Sequence, residues 1–200
     1  MADLLPVTQA HLNKARKDKF QLILTLPNIL KKIETRSARE SKFINLDSLQ
    51  FSVFGASIPS SEVTEIPLHY AGQNYNVTSF DRPAYPPCTI NFTIDNEFKN
   101  YWVIWKWLQL LNDPINSTYG RPDIFKEIEG YPEMDPKTLY DYTTTITLIG
   151  MDEYNKNKVQ FDFRYAFARK LGDINYNYRD PDEMECTFEF VYNQLDIQLI

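Results

Sequence analysis

A chain of 200 residues with 43% hydrophobic and 14% aromatic content has enough apolar material for one sizeable core, and its 24% charged content excludes a disordered chain. A formal charge of −6 and a pI near 5.0 exclude a protein that grips nucleic acid through a surplus of Lys and Arg. The two cysteines, Cys88 and Cys186, lie far apart without CxxC spacing, which argues against a zinc ribbon or disulfide framework and for a reducing compartment.

Residues Thr8 to Asp18 mix helix formers and charges with few large apolar groups, predicting a short N-terminal helix or arm within 1–19. Alternation then begins: Phe20, Leu22, Leu24 and Leu26 fall on one side of a strand that Pro27 ends. Leu30 to Lys42, inside an insertion over 30–45, carries Lys31, Lys32, Arg36, Arg39 and Lys42 and reads as an exposed excursion, either a solvated loop or a docking surface for a neighbouring subunit. Leu49 to Phe54 reads as a second strand. Ile66 to Tyr70 and Tyr75 to Phe80 read as a hairpin around AGQN, with Gly72 free to take positive φ. Three prolines in Arg82 to Pro87 exclude a central strand there. Thr89 to Ile94 resumes the alternation with Ile90, Phe92 and Ile94 inward.

Asp95 or Asn96 caps a helix running to about Leu111. Phe98, Tyr101, Trp105, Leu108 and Leu111 form one apolar stripe, while Trp102, Val103, Trp107 and Leu110 add apolar surface outside it. The helix is therefore either wedged deep in the fold or shared with another chain. Asn112 to Lys137, within an insertion over 112–137, is rich in Pro, Gly and Asn and long for a connection, which marks a functional loop or mobile segment. Three more strands follow. Tyr142 to Ile149 alternates Thr with apolar residues, Val159 to Phe167 places Val159, Phe161, Phe163, Tyr165 and Phe167 on one face, and Glu185 to Tyr192 does the same with Cys186, Phe188, Phe190 and Tyr192. The expected architecture is mainly β: one domain over 1–200, an antiparallel barrel or sandwich of at least seven strands with one principal flanking helix.

Chemistry motifs are sparse. His11 and His69 lack metalloprotease spacing, and six glycines form no phosphate loop, dinucleotide fingerprint or nucleophile elbow. The cluster Asp180, Asp182, Glu183 and Glu185 reads as a solvated turn before a strand rather than a cation loop. Asn76, Asn91 and Asn116 open N-x-S/T triplets that read as chance matches. The N-terminal MADLLPVTQAHLNKARKDKF has no continuous apolar stretch and no segment is long and apolar enough to span a bilayer, so a soluble chain without membrane partners is expected. No catalytic, cofactor-binding or metal-ligating residue is singled out, and the chain is expected not to be an enzyme. A competing expectation is a barrel that binds a small ligand or carbohydrate against Trp102, Trp105 and Trp107.

The order of elements resembles the tail tube proteins of contractile-tailed bacteriophages, a family whose fold is shared with the tube protein of type VI secretion systems. The likeness runs through IPSSEVTEIPLHYAGQNYNVTSFDRP, TINFTIDNEF and the helix YWVIWKWLQLL, with Pro59, Pro67, Tyr70, Gly72, Arg82, Asp95 and Trp107 in the family's order, then through LIGMDEY and CTFEFVY. The resemblance implies a structural virion protein that forms hexameric rings stacked into the inner tail tube, a conduit through which viral DNA passes without specific binding. The implied partners are further copies of the chain, the tail sheath protein, the tape measure protein, and baseplate and tail terminator proteins, with the subunit in the host cytoplasm before assembly. A tube-initiating baseplate protein or a tail-end adaptor of the same fold is the alternative. From charge and strand position, Glu62, Glu65, Glu185 and Glu189 are expected to line the lumen. Leu4, Leu5, Val7, Trp102, Trp107, Ile197 and Leu199 are expected to meet neighbouring subunits.

Overall fold

The computed structural model describes residues 15–31, 52–111, 142–179 and 182–200, together with the backbone of 48–50. Most of the expected N-terminal helix, nearly all of the 30–45 insertion and the whole 112–137 insertion lie outside these residues, as does Asp180 of the acidic cluster. In chain order the elements are β1 (Phe20–Thr25), α1 (Asn28–Lys31), β2 (Ser48–Gln50), β3 (Val53–Ala56), β4 (Glu65–Tyr70), β5 (Gln73–Thr78), β6 (Cys88–Thr93), α2 (Lys99–Leu111), β7 (Thr144–Met151), β8 (Asn157–Leu171), β9 (Glu185–Val191) and β10 (Gln194–Leu199). All strand pairings are antiparallel.

The strands follow the alternation of the sequence. Leu22 and Leu24 of β1, Cys88, Ile90 and Phe92 of β6, Ile146 and Leu148 of β7, and Cys186, Phe188 and Phe190 of β9 are all buried. Their polar alternates point away from the core. Pairing runs in the order β2-β1-β7-β8-β9-β6-β3, and β10 joins the free side of β8. The first half of β8 pairs with β7 and β10, the second half with β9. This one long strand therefore belongs to two sheets that face each other across a single core, a sandwich rather than a closed barrel. Phe163 of one sheet stands edge-on to Phe190 of the other at 5.3 Å and to Tyr192 at 5.0 Å.

Three expectations need correction. Leu49 to Phe54 does not form one strand: β2 and β3 lie at opposite ends of the pairing order, because the chain passes from one sheet to the other between them. The row Val159 to Phe167 does not keep to one face. An extra residue in β8, marked by the register shift opposite Thr144/Ile146 and by Tyr165 at φ 54°, moves the buried phase from Phe163 to Ala166 and Ala168. The stripe of α2 is displaced as well. Its buried face is Asn100, Val103, Ile104, Trp107 and Leu110, whereas Trp105 is exposed and Phe98 stands before the helix at φ 57°.

Asn100 explains the displacement. Its Nδ2 donates to Thr93 O at 2.9 Å and its Oδ1 accepts from Asp95 N and Tyr101 N, while Asp95 Oδ1 accepts from Lys99 N at 2.6 Å. A polar side chain thus anchors the start of α2 to the end of β6, on the face that an apolar count leaves out. Trp107 donates its indole N–H to Tyr142 O at 3.1 Å and lies 6.4 Å from Phe188.

Gly172, just past β8, closes the core where the chain comes nearest to β9. Its N–H donates to Thr187 O at 2.7 Å, and a Cβ there would lie 2.2 Å from Thr187 Oγ1 and 3.1 Å from Thr187 N. Gly172→Ala is expected to lower unfolding free energy by about 1–3 kcal/mol in urea titration, through the backbone shift that the overlap forces.

Candidate assembly surfaces

Among the described residues the β4–β5 hairpin pairs with no other strand. Its turn is two residues, Ala71 and Gly72 at φ 50° and 78°, so Gln73 and Asn74 of the expected AGQN loop belong to β5. Register sorts the side chains onto two unlike faces. Ile66 opposes Val77, Leu68 opposes Tyr75 and Tyr70 opposes Gln73, whereas Glu65 opposes Thr78, Pro67 opposes Asn76, and His69 opposes and bonds Asn74. The first face is apolar, yet Ile66, Leu68, Tyr70, Tyr75 and Val77 are all exposed, Tyr70 to 74%. Among the described residues nothing covers it. An isolated two-stranded ribbon gains little stability by itself, and an apolar area of this kind marks an interaction site.

The second surface is the open edge of β10. Ile200 N donates to Lys158 O at 3.0 Å, which fixes the parity of the ladder: the even-numbered residues of β10 turn their backbone toward β8, and Leu195, Ile197 and Leu199 turn theirs to the free edge. Ile197 and Leu199 are also exposed, the latter to 88%. The expected strands end at Tyr192, so β10 is an addition to them, although QLDIQL alternates.

The outward face of the β1-β7-β8-β10 sheet is polar. Asp162 and Asp196 lie directly opposite each other, an arrangement of like charges that is unfavourable unless each is held by donors. Thr147 Oγ1 and Gln160 Nε2 donate to Asp162 at 2.7 and 2.9 Å, and Arg164 Nη2 and Gln198 Nε2 donate to Asp196 at 2.8 and 3.0 Å. The result is a face of amides, hydroxyls and satisfied carboxylates, interrupted by the partly exposed Ile23 and Ile149.

The residues singled out from sequence scatter over these surfaces. Ile197 and Leu199 are on the β10 edge. Trp102 is half-buried, and no part of Trp107 reaches the surface; with Trp105 exposed on the opposite side of α2, the three indoles do not line one pocket. Glu62 and Glu65 are exposed at the base of the hairpin, while Glu185 and Glu189 share the outward face of β9, opposite Thr93 and Thr89. Leu4, Leu5 and Val7 lie outside the described residues. Among the described residues no three His, Cys, Asp or Glu side chains gather as a metal set, and no helix is long and apolar enough to cross a membrane.

The thiols are sunk in the core at opposite ends of the β6–β9 ladder. Burial pushes the Cys88 thiol up to about 12 and raises that of Cys186, so neither holds an appreciable thiolate near neutral pH. Burial likewise pushes the Tyr192 phenol up to about 12, and its hydroxyl has no hydrogen-bond partner among the described residues. Tyr192→Phe removes that unsatisfied group at almost constant shape, and is expected to raise unfolding free energy by about 1 kcal/mol in urea titration.

Among the described residues the fold is a two-sheet sandwich with an unpaired edge strand and an exposed apolar ribbon. Residues 15–198 match the family model of phage tail tube proteins, and the chain belongs to that family. Among solved structures it is similar to the tube-terminating cap of the anti-feeding prophage, at 12% identity and a TM-score of 0.57 over 100% of both chains. It is also similar to a chain of the PVC sheath–tube complex of an extracellular contractile injection system in the extended state (9% identity, TM-score 0.53, 98% of this chain and 99% of that one). A chain of the anti-feeding prophage baseplate is similar too (10% identity, TM-score 0.53, 92% of this chain and 95% of that one). At such identities the likeness is one of fold. Among curated proteins none matches the sequence.

Proposed function

We propose that this chain is a non-enzymatic structural subunit of a contractile phage tail, forming hexameric rings that stack into the tube through which the genome leaves the particle. The observation that carries this reading is the hairpin's exposed apolar face, which no described residue of its own subunit covers and which another apolar surface would match in chemistry. Edges act alongside it. A neighbour added at β10, pairing through its own edge strand β2, continues the sheet from copy to copy, and repetition closes a ring. The hairpin, free of the body, reaches to the next ring.

In such a ring the core side of the β1-β7-β8-β10 sheet is already covered, so its polar outward face is the one free to look into the lumen. That assigns Thr147, Gln160, Asp196 and Gln198 to the channel, in place of Glu185 and Glu189, which lie on the other sheet. A polyanion gliding over these amides, hydroxyls and satisfied carboxylates meets no row of cations to hold it, and Arg164 beside them is already paired with Asp196. Sheath, tape measure, baseplate and terminator proteins are the partners of a tube built this way, and the virion is its location.

Size-exclusion chromatography and negative-stain microscopy of the purified chain test the reading. Rings or tubes are expected. A persistent monomer whose tryptophan fluorescence responds to a small ligand would replace it with the binding-barrel alternative.

A further inference from the structure

A basic recess stands on this acidic chain where β9 gives way to β10. It has a volume of ≈ 400 Å³ and is lined by Arg82, Tyr85, Arg164, Asn193, Gln194 and Asp196, among others. Arg82 is fixed before anything binds. Its Nη1 donates to Tyr85 Oη at 2.8 Å and its guanidinium carbon lies 5.9 Å from the centre of the Tyr85 ring. Tyr85 is stacked in turn on the buried Tyr192 at 5.0 Å, so an arginine on the surface is tied through two aromatic rings to the core. Among the described residues Arg82 has no ion-pair partner. Arg164 uses Nη2 on Asp196 at 2.8 Å and keeps other N–H donors free. The recess's own lining thus holds two guanidinium groups against one carboxylate, a surplus of one positive charge, with Glu62 beside Arg82 in the adjoining hollow.

We infer that this recess receives an Asp or Glu side chain from a second copy of the chain, an inference that rests on the ring assembly proposed above. Gln194 and Asp196, on its rim, begin the strand whose outer edge is open, so a neighbour that extends the sheet at β10 runs alongside the recess. A carboxylate is planar and carries one charge, which matches both the guanidinium fork and the unbalanced charge. A nucleic-acid strand fits less well: its row of phosphates would also meet the partly exposed Asp196 on the recess's own rim. Ordering the Arg82 side chain in advance removes much of the entropy that an exposed arginine loses on binding, so the contact selects the neighbour's register as well as holding it.

The test uses the full chain. Arg82→Ala is expected to raise the concentration needed for half-maximal assembly, read by sedimentation and microscopy, by about tenfold or more, and Arg82→Glu to abolish assembly, while the Tm of the unassembled subunit falls by only about 2–4 °C, for the lost contacts with Tyr85. A reconstruction of wild-type tubes is expected to place a neighbour's Asp or Glu within hydrogen-bond distance of Arg82 or Arg164. Normal tubes from Arg82→Glu, or a recess that in the assembled tube opens to solvent or holds a phosphate, overturns this inference and leaves the ring intact. A wild type that never assembles overturns both.

Discussion

Leu68→Asp combined with Tyr75→Asp is expected to give a folded, soluble subunit that forms no tubes. The two side chains oppose each other at the centre of the hairpin's apolar face, and both are exposed in the subunit. Their removal therefore changes subunit stability only by the cross-strand pair, about 0.2–1 kcal/mol. In a contact between rings the same two side chains become buried, and each contributes about 1.5–3 kcal/mol of burial. The substitution also forces two carboxylates into an apolar interface, so the loss exceeds about 4 kcal/mol per contact and raises the concentration needed for assembly by more than about 10³-fold. Asn76→Asp on the opposite face serves as the comparison, since its exposed polar side chain tolerates charge. Circular dichroism and size-exclusion chromatography report folding, and electron microscopy reports tubes. Normal tubes from the double variant would remove the hairpin from the assembly and with it the main support for the proposed function.

That face also shows where reading the sequence runs out. Alternation in Ile66, Leu68 and Tyr70 looks the same as alternation in Ile90, Phe92 and Ile94, and both announce a strand with one apolar side. Only the fold shows that the second set is covered by its own subunit and the first is not. The inward rows of β1, β6, β7 and β9 were legible because regular strands leave one side chain per position to interpret. Where a backbone irregularity intervenes, as at Tyr165 in β8, the phase slips and the pattern misleads. In α2 a buried, fully bonded Asn100 made the core stripe look polar and pushed the reading onto Trp105. The recess at Arg82 and Arg164 joins residues that are distant in sequence and has no local signature at all; its single hint was the arginine following the hairpin.

Ile197→Pro is expected to stop ring closure while leaving the subunit folded, and Gln198→Pro is expected to damage the subunit itself. The difference comes from ladder parity. The N–H of Ile197 points to the open edge, so replacing it with a proline ring removes a donor that the isolated subunit does not use and places a steric block where a neighbour's strand would pair. Its effect on unfolding free energy is expected to stay near about 0.5 kcal/mol. The N–H of Gln198 points at β8 opposite Gln160, and its loss leaves a ladder bond unmade at about 1–3 kcal/mol. Urea titration separates the two variants, and microscopy reads assembly. If Ile197→Pro still closes rings, copies do not join through β10, and the outward face of that sheet loses its claim to the lumen, because a sheet that is not continued from copy to copy cannot enclose one.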